Sequence, residues 1–193
     1  KDEIVPVEIK SKKKTIVFDT DEGPRPGTTV ESLSGLRCCS GKEGGVVTAG
    51  NASGINDGAA AIVVMSEEKA KELGVTPKMK IEGYAIAGFD AELMGYSPKF
   101  SSEKLANKLG VDLKSIDMFE INEAFASQAY AVSRDLGLDP EKVNIYGGGI
   151  SIGHPIGATG AMLTVKVMYE LMRTDKKDAM ISMCIGGGQG ISM

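Results

Sequence analysis

Short apolar runs alternate with segments that carry helix-capping signals, and this alternation limits the possible folds more than any other feature. The run GAAAIVVM at 58–65 precedes SEEKAKELG, in which Ser66 is an expected N-cap and Gly74 an expected C-terminal stop. The run at 79–90 precedes SSEKLANKLG at 101–110 in the same way. Each pair predicts a strand followed by a helix, and 58–65 is predicted to be a buried strand.

Two more units extend this pattern towards the C-terminus. IDMFEI at 116–121 precedes a predicted helix over 124–136, and KVNIY at 142–146 predicts a strand before a glycine-rich loop and another helix. AMISMCI at 179–185 predicts a last buried strand, and the glycines after it predict a tight turn into one further strand. Strand-helix alternation of this kind predicts an α/β fold, a layered sheet covered by helices.

The predicted helix after the glycine-rich loop has a clear apolar face. Its spacing places apolar residues on the inward side and charged residues on the outward side. The inward set is Leu163, Val167 and Leu171, and the outward set is Lys166, Glu170 and Arg173. The N-terminal part differs, since 2–9 and 14–18 predict a β-hairpin and 19–50 predicts a long ordered loop.

Composition and charge exclude several classes of partner. The 193 residues are 42% hydrophobic and carry a formal charge of −4, with both signs interspersed, so no nucleic acid is expected as a partner. No apolar run approaches the roughly 20 residues that span a bilayer, so no membrane partner is expected either. Three cysteines, an odd number, indicate a reducing, cytoplasmic location.

Three polar residues follow or close predicted strands, where layered α/β sheets tend to bind ligands. They are Asn122, the single histidine His154, and Cys184. If the strand ends converge, a site contains an amide, an imidazole and a thiol. Each also has an ordinary interpretation: Asn122 as an N-cap, His154 as a hydrogen-bonded structural residue, and Cys184 as a buried inert thiol.

The glycine loops raise two other possibilities. Either GGGISIG or GGGQG could cradle a phosphate, but neither matches a nucleotide-binding fingerprint with its lysine or acidic partner. One histidine and scattered cysteines do not have the ligand spacing of a closed metal site, so no metal is expected.

The segments NEAFA, GGGISIGHPIGATGA and MCIGGGQG, in this order and separation, resemble the C-terminal signatures of the thiolases, specifically the acetyl-CoA acetyltransferases. The resemblance extends to KDEIVPVEIK and to VTAGNASGINDGAAAIVVMSEEKAKELG. It implies a thiolase-like layered fold, with a mixed sheet covered by helices and an N-terminal remnant of the loop domain. The implied domains are 1–56, the end of the loop domain with the domain junction, and 57–193, the C-terminal thiolase domain.

The resemblance also implies an activity and assigns roles. Two acetyl-CoA molecules would condense to acetoacetyl-CoA and CoA, with reverse thiolysis, and no cofactor beyond the CoA thioester substrates. Cys184 would be the general acid/base, with a pKa drawn towards the working pH by neighbouring donors, and His154 would polarise the nucleophilic thiol and bind the thioester oxygen. Asn122 would hold a water in that oxyanion site, and the Gly186 N–H would belong to a second one. On this interpretation the loop is glycine-rich because side chains would block the pantetheine.

Contacts to CoA follow from the same resemblance. Ser53 and Ala49 would line the path of the pantetheine, and Ser32 and Arg25 would lie near the nucleotide end. Met94 and Phe125 would be walls near the acyl group. Met94 and Phe125 could instead be ordinary core residues, and Arg25 and Ser32 could be ordinary surface-loop residues.

One element of the family pattern is missing. The family's nucleophilic cysteine lies in a Cys-x-Ser-Gly type motif of the N-terminal half, and CCSG at 38–41 lies in a different place, so Cys38 and Cys39 are interpreted as incidental thiols. We therefore expect an N-terminal thiolase half as partner, from a second subunit, a cleaved chain or an incomplete polypeptide, and expect the isolated chain to be inactive.

The sequence is also compatible with two other functions. One is a 3-ketoacyl-CoA thiolase of fatty-acid degradation, which performs the same chemistry on longer chains. The other is a non-catalytic CoA-binding fragment. The resemblance further implies a homo-tetramer or homo-dimer.

Overall fold

The computed structural model describes residues 3–41 and 43–193, which form two compact units divided after residue 36. The first unit contains an antiparallel hairpin of β1 (Val7–Lys10) and β2 (Thr15–Phe18), which confirms the predicted hairpin. It also contains a short helix, α1 (Val30–Ser34), inside the segment predicted as loop. Thr29 begins α1 by a capping box with Ser32, a local signal that the sequence interpretation missed.

The second unit is built on a four-stranded mixed sheet in the order β3-β6-β5-β4. The strands are β3 (Ala85–Gly88), β4 (Met118–Ile121), β5 (Ala179–Gly186) and β6 (Gln189–Ser192). Strands β4 and β5 are parallel, whereas β6 is antiparallel to both β5 and β3. The predicted mixed sheet and the final strand after the glycine turn are therefore confirmed.

Five helices accompany this sheet among the described residues. They are α2 (Glu67–Leu73), α3 (Ser97–Leu109), α4 (Ala126–Asp135), α5 (Gly149–Ile152) and α6 (Thr159–Arg173). Short 3₁₀ helices lie at Ala91–Tyr96, Leu113–Ser115 and Pro140–Lys142. The predicted caps of α2 are confirmed, since the Ser66 hydroxyl accepts from the Lys69 N–H and Gly74 has the left-handed conformation. Helix α3 starts four residues before the predicted start because Pro98 fits its first turn.

The core has two parts, one on each face of the sheet. Leu105 of α3 and Val132 of α4 pack with Phe119, Ile121 and Met180 on one face. On the other face, α6 packs against β4 and β5 through a cluster of Met118, Leu163, Val167 and Ile181. Each fully buried side chain of this size contributes about 1.5–3 kcal/mol to folding. The prediction of a sheet covered by helices on its faces is confirmed.

The prediction of a buried strand over 58–65 is wrong for this chain. The segment belongs to no strand, and it is exposed along its length, with Val63 84% and Val64 68% exposed. Its residues form no ladder with β3 to β6. The apolar pattern is typical of a buried strand, but no strand among the described residues pairs with this segment or covers it.

Two smaller predictions on the α6 side are also wrong. KVNIY contributes a single bridge, between Val143 and Phe119, instead of a strand. Lys166 and Glu170, predicted to face outward, are almost buried, because Lys166 pairs with the fully buried Glu120 and Glu170 pairs with Arg173. In residues 3–41 and 43–193, no helix is long and apolar enough to cross a membrane.

Candidate active site

The edge of the sheet where β4 and β5 end in the same direction brings two of the predicted residues together. The Asn122 N–H, just past β4, donates to the Ser182 carbonyl of β5 at 2.9 Å. Cys184 lies two residues after Ser182 on β5, which places their Cα atoms about 7 Å apart at the usual rise per residue. Because parallel strands end at the same edge, the amide and the thiol belong to one region.

The imidazole of His154 joins this region through Asn122. The Asn122 Nδ2 lies 3.3 Å from the His154 Nε2, so the predicted meeting of amide and imidazole is observed. The His154 Nδ1 lies 2.6 Å from the hydroxyl oxygen of Thr159, and that hydroxyl donates to the Pro155 carbonyl at 2.9 Å. A hydroxyl has one proton to donate, so Thr159 must accept from a protonated Nδ1. The neutral imidazole therefore carries its proton on Nδ1 and has a lone pair on Nε2, to which Asn122 donates.

The backbone of His154 is fixed as well. Its N–H donates to the Asn56 Oδ1 at 3.2 Å, and the segment containing Asn56 forms a parallel bridge with His154 through Ile55. Gly153 has a φ of 97°, and a Cβ there would lie 2.7 Å from the Asn56 amide. This glycine is required both by its backbone conformation and by the close approach of Asn56.

Burial changes the proton affinity of both titratable groups. Desolvation lowers the pKa of His154 below its usual value, which favours the neutral imidazole. Desolvation raises the pKa of the Cys184 thiol, and a hydrogen bond from its own backbone opposes this shift. The sequence interpretation expected neighbouring donors to draw the Cys184 pKa towards the working pH. The structure shows the opposite direction, because the thiol is half-buried and no described side chain donates to it.

The glycines before His154 have an internal explanation. A Cβ on Gly148 would lie 2.3 Å from the carboxyl carbon of Glu123, and a Cβ on Gly149 would lie 3.0 Å from the Glu123 carbonyl. These glycines admit a carboxylate of the chain itself, whereas the sequence interpretation explained them by an approaching pantetheine. A Cβ on Gly186, by contrast, would meet no described atom within 4 Å, and the φ of 111° at this residue is what requires glycine.

The predicted pantetheine segment lies beside the start of α4. The Ser53 N–H donates to the Ala124 carbonyl at 3.0 Å, and Ala52 forms a bridge with Phe125. Ala49 is exposed four residues before Ser53. The alternative of ordinary core does not hold for Phe125, which is half-buried at the beginning of α4 outside both core clusters.

The remaining predicted contacts lie elsewhere in the chain. Met94 is 40% exposed in a 3₁₀ helix, so it is not a core residue either. Arg25 and Ser32 are exposed residues of the first unit. The Ser32 hydroxyl is used in the capping box of α1, which gives this residue a structural role.

A cleft of about 390 Å³ lies next to the histidine loop. Its lining comes from two segments, Asn56 to Ala60 and Pro155 to Ala158, together with Ala161. Asn122, His154 and Cys184 are not among the lining residues. The cleft thus adjoins the His154 backbone, on the side where Asn56 binds it.

The ordinary interpretation of Asn122 as an N-cap can be compared with the structure. Asn122 does not cap α4, because that helix has Phe125 at its N-cap position and no side-chain cap. Within the described part of the chain, no group of three His, Cys, Asp or Glu residues lies together as metal ligands would.

Sequence reasoning missed the residues that hold this site in place. Thr159 fixes the histidine tautomer, Asn56 binds the His154 backbone, and Glu123 contacts the glycine loop. Thr159 is five residues after His154 at the start of α6, a spacing that could have suggested the contact. The other two pairings join distant segments and have no local signal.

Comparisons with known proteins agree with this architecture. Residues 75–193 match the family described as Thiolase, C-terminal domain, and residues 1–68 match Thiolase, N-terminal domain. An acetyl-CoA acetyltransferase of Thiocystis violacea is 51% identical over 193 residues, which are 100% of this chain and 49% of that protein. The chain thus spans about half the length of the curated relatives it matches.

Solved structures give the same result. The crystal structure of the Bacillus anthracis acetyl-CoA acetyltransferase superposes with a TM-score of 0.88 at 49% identity, covering 99% of this chain and 48% of that chain. Human mitochondrial 3-ketoacyl-CoA thiolase superposes with a TM-score of 0.85 at 43% identity, covering 97% and 47%. The chain belongs to the thiolase family, as the sequence motifs indicated.

Proposed function

We propose that this chain supplies the C-terminal part of an acetyl-CoA acetyltransferase, which condenses two acetyl-CoA to acetoacetyl-CoA and CoA and catalyses the reverse thiolysis. The observation that carries the proposal is the orientation of His154. Thr159 occupies Nδ1, so the basic Nε2 is presented beside the buried amide of Asn122, at the edge of the sheet that carries Cys184. The names of the similar acetyltransferases support the same activity.

The first half-reaction needs a nucleophilic thiol, which we propose comes from an N-terminal thiolase half outside this sequence. The His154 Nε2 accepts the proton of that thiol as the sulfur attacks the acetyl carbon. The resulting imidazolium carries a proton on Nε2, which can form a hydrogen bond to a thioester oxygen while it remains on the ring. The Asn122 Oδ1 is buried without a partner among the described residues, which suits an acceptor that holds a water molecule.

Cys184 is suited to act first as an acid and then as a base. Burial keeps its thiol protonated at neutral pH, so it can give a proton to the departing CoA thiolate. The Cys184 thiolate formed in this way can remove the α-proton of a second acetyl-CoA. The resulting carbanion attacks the acetyl carbonyl of the acetylated cysteine, so that the new C–C bond forms and the C–S bond breaks. The released cysteine thiolate then regains its proton from the His154 imidazolium. The Gly186 N–H is the proposed donor for the second oxyanion.

The CoA contacts remain part of the proposal. They are Ser53, Ala49, Ser32, Arg25, Met94 and Phe125. We also propose a homo-tetrameric or homo-dimeric assembly. Calorimetric titration with CoA tests whether the isolated chain binds CoA without turnover, as a non-catalytic fragment would.

The decisive experiment uses the chain co-expressed with an N-terminal thiolase half. Thiolysis of acetoacetyl-CoA is measured for the wild type, Cys184→Ser and His154→Ala, with Cys39→Ser as a matched thiol control. Loss of a general acid/base predicts a decrease of about 10²–10⁴-fold in the first two variants and none in the control. Near-normal turnover of Cys184→Ser or His154→Ala would refute the assigned roles.

A second candidate, a 3-ketoacyl-CoA thiolase, is favoured by the likeness to the human mitochondrial enzyme. Rates on 3-ketoacyl-CoA substrates of increasing chain length separate the two candidates. A rate that falls steeply beyond four carbons supports the acetyltransferase, and a rate that stays level or rises supports the degradative enzyme.

A further inference from the structure

The loop that carries His154 is attached to the end of β4 by side chains that the proposed chemistry does not use. Asn144, where this loop begins, has a φ of 47° and is the one non-glycine residue with positive φ in the part of the chain that the structure describes. Its Oδ1 accepts from the Ile121 N–H at 2.8 Å, and its Nδ2 donates to the Ile121 carbonyl at 2.9 Å. The amide therefore pairs with β4 as a neighbouring strand would.

Glu123 connects this amide to the next part of the loop. Its Oε1 accepts from the Asn144 Nδ2 at 2.8 Å, and its Oε2 accepts from the Ile150 N–H at 3.2 Å. The carboxylate fills the space where a side chain on Gly148 would otherwise be, and a Cβ there would lie 2.6 Å from both carboxylate oxygens. Both oxygens are thus used as acceptors within one loop.

These contacts act on both partners of the Asn122–His154 pair. Glu123 directly follows Asn122 in the chain, and Ile150 lies four residues before His154. Gly149, next to Ile150, approaches the Asn122 Oδ1 so closely that a Cβ there would be 3.3 Å from it. A shift of the carboxylate would therefore move the loop and the amide relative to each other.

We propose that Glu123 is a positioning residue, which together with Asn144 holds the amide of Asn122 against the Nε2 of His154. The catalytic meaning of this role rests on the proposed function. Its structural effect does not, because the separation of the amide and the imidazole is a property of this chain alone.

The test uses the fact that His154 is the only histidine of the chain. In protein labelled with ¹⁵N-histidine, one pair of imidazole nitrogens reports the tautomer, the hydrogen bond at Nε2 and the titration of this residue. The wild type should show a protonated Nδ1 and a bare Nε2 that accepts a hydrogen bond.

Glu123→Gln keeps the size of the side chain but replaces one acceptor by a donor, which opposes either the Asn144 Nδ2 or the Ile150 N–H. We expect a displaced Nε2 resonance and a higher pKa of His154, because the Asn122 donor no longer stabilises the neutral ring. Glu141→Gln, which removes the charge of an exposed carboxylate in the preceding 3₁₀ helix, should leave both unchanged. Glu123→Ala should give a larger displacement of the Nε2 resonance. If this variant does not fold, the Glu123→Gln result alone tests the proposal. A folded Glu123→Gln with wild-type imidazole resonances would overturn the proposal.

The same variant in the complete enzyme gives the second readout. Misplacement of the amide by about 1 Å predicts a decrease of about 10²-fold in kcat with little change in KM, since both carboxylate oxygens of Glu123 are bound by Asn144 and Ile150 of the chain itself. An unchanged kcat in Glu123→Gln would also overturn the positioning role. If the wild-type enzyme has no thiolase activity, the proposed function fails, and the imidazole resonances still decide the structural claim.

Discussion

Two stretches of this chain are rich in small residues, and they are used in opposite ways. In the loop over 147–153, glycines admit side chains of the chain itself: Ser151 at Gly147, Glu123 at Gly148 and Asn56 at Gly153. In 58–65, the residues are exposed along the whole run, although a Cβ on Gly58 would lie 2.6 Å from the side chain of Pro155. Small residues therefore indicate close approach only where a partner is identified, and substitutions should separate the two stretches clearly.

The largest effect is expected where the loop is attached through a buried charge. Lys166→Met removes the ammonium group that pairs with the buried carboxylate of Glu120 and the bond to the Gly147 carbonyl, which should lower the free energy of unfolding by about 3–5 kcal/mol. Urea denaturation measures the change. Lys71→Met, on exposed helix α2, should cost less than about 1 kcal/mol. Similar values for both variants would show that the buried pair does not stabilise the loop.

A smaller effect is expected from a single added methyl group in the loop. Gly148→Ala places a Cβ against the Glu123 carboxylate and should cost about 1–3 kcal/mol of unfolding free energy. Gly157→Ala adds the same methyl group at a position with no described atom within 4 Å, so it should be close to neutral. If denaturation shows Gly148→Ala to be as stable as Gly157→Ala, the Glu123 carboxylate does not pack against Gly148 in solution.

Acidification should lower the free energy of unfolding through the imidazole of His154. Because burial lowers the pKa of His154 in the folded chain, the unfolded chain binds the proton more readily as the pH falls below about 6.5. The free energy of unfolding should then decrease between about pH 6.5 and the lower folded-state pKa, and should not depend on His154 above this range. In His154→Asn this part of the pH dependence should be missing. Its persistence would assign it to other groups.

The smallest effect is expected in the exposed stretch. Val63→Thr changes a side chain that is 84% exposed and should alter the free energy of unfolding of this chain by less than about 0.5 kcal/mol. Val167→Thr makes the same change on α6, within the core cluster that also contains Met118 and Ile181, and should cost at least about 1 kcal/mol. A large loss in Val63→Thr would mean that 58–65 is buried in solution.

The parts of the fold that follow from local signals were predictable. Ser66 and Gly74 delimit α2, and the buried run at 179–185 gives most of β5, because capping and apolar pattern act within a few residues. The position of Lys166 was not predictable, since an outward helix position becomes buried only when Glu120 of β4 lies opposite it. The 58–65 run shows a further limit: the pattern predicts a strand but contains no information on which polypeptide covers it.

The candidate site divides in a similar way. Asn122, His154 and Cys184 could be found because each lies at a predicted strand end or in an unusual loop, and the family motifs contain them. Glu123 and Asn144 could not be found, because their contacts bring together residues more than 20 positions apart and depend on the left-handed conformation of Asn144.

The bond from His154 to Thr159 also constrains the path of any proton. In this structure Nδ1 is bound to Thr159, so the ring is not arranged to relay a proton from one side to the other. In this arrangement, a proton that reaches Nε2 leaves again from Nε2, and the ring holds it only for part of the cycle.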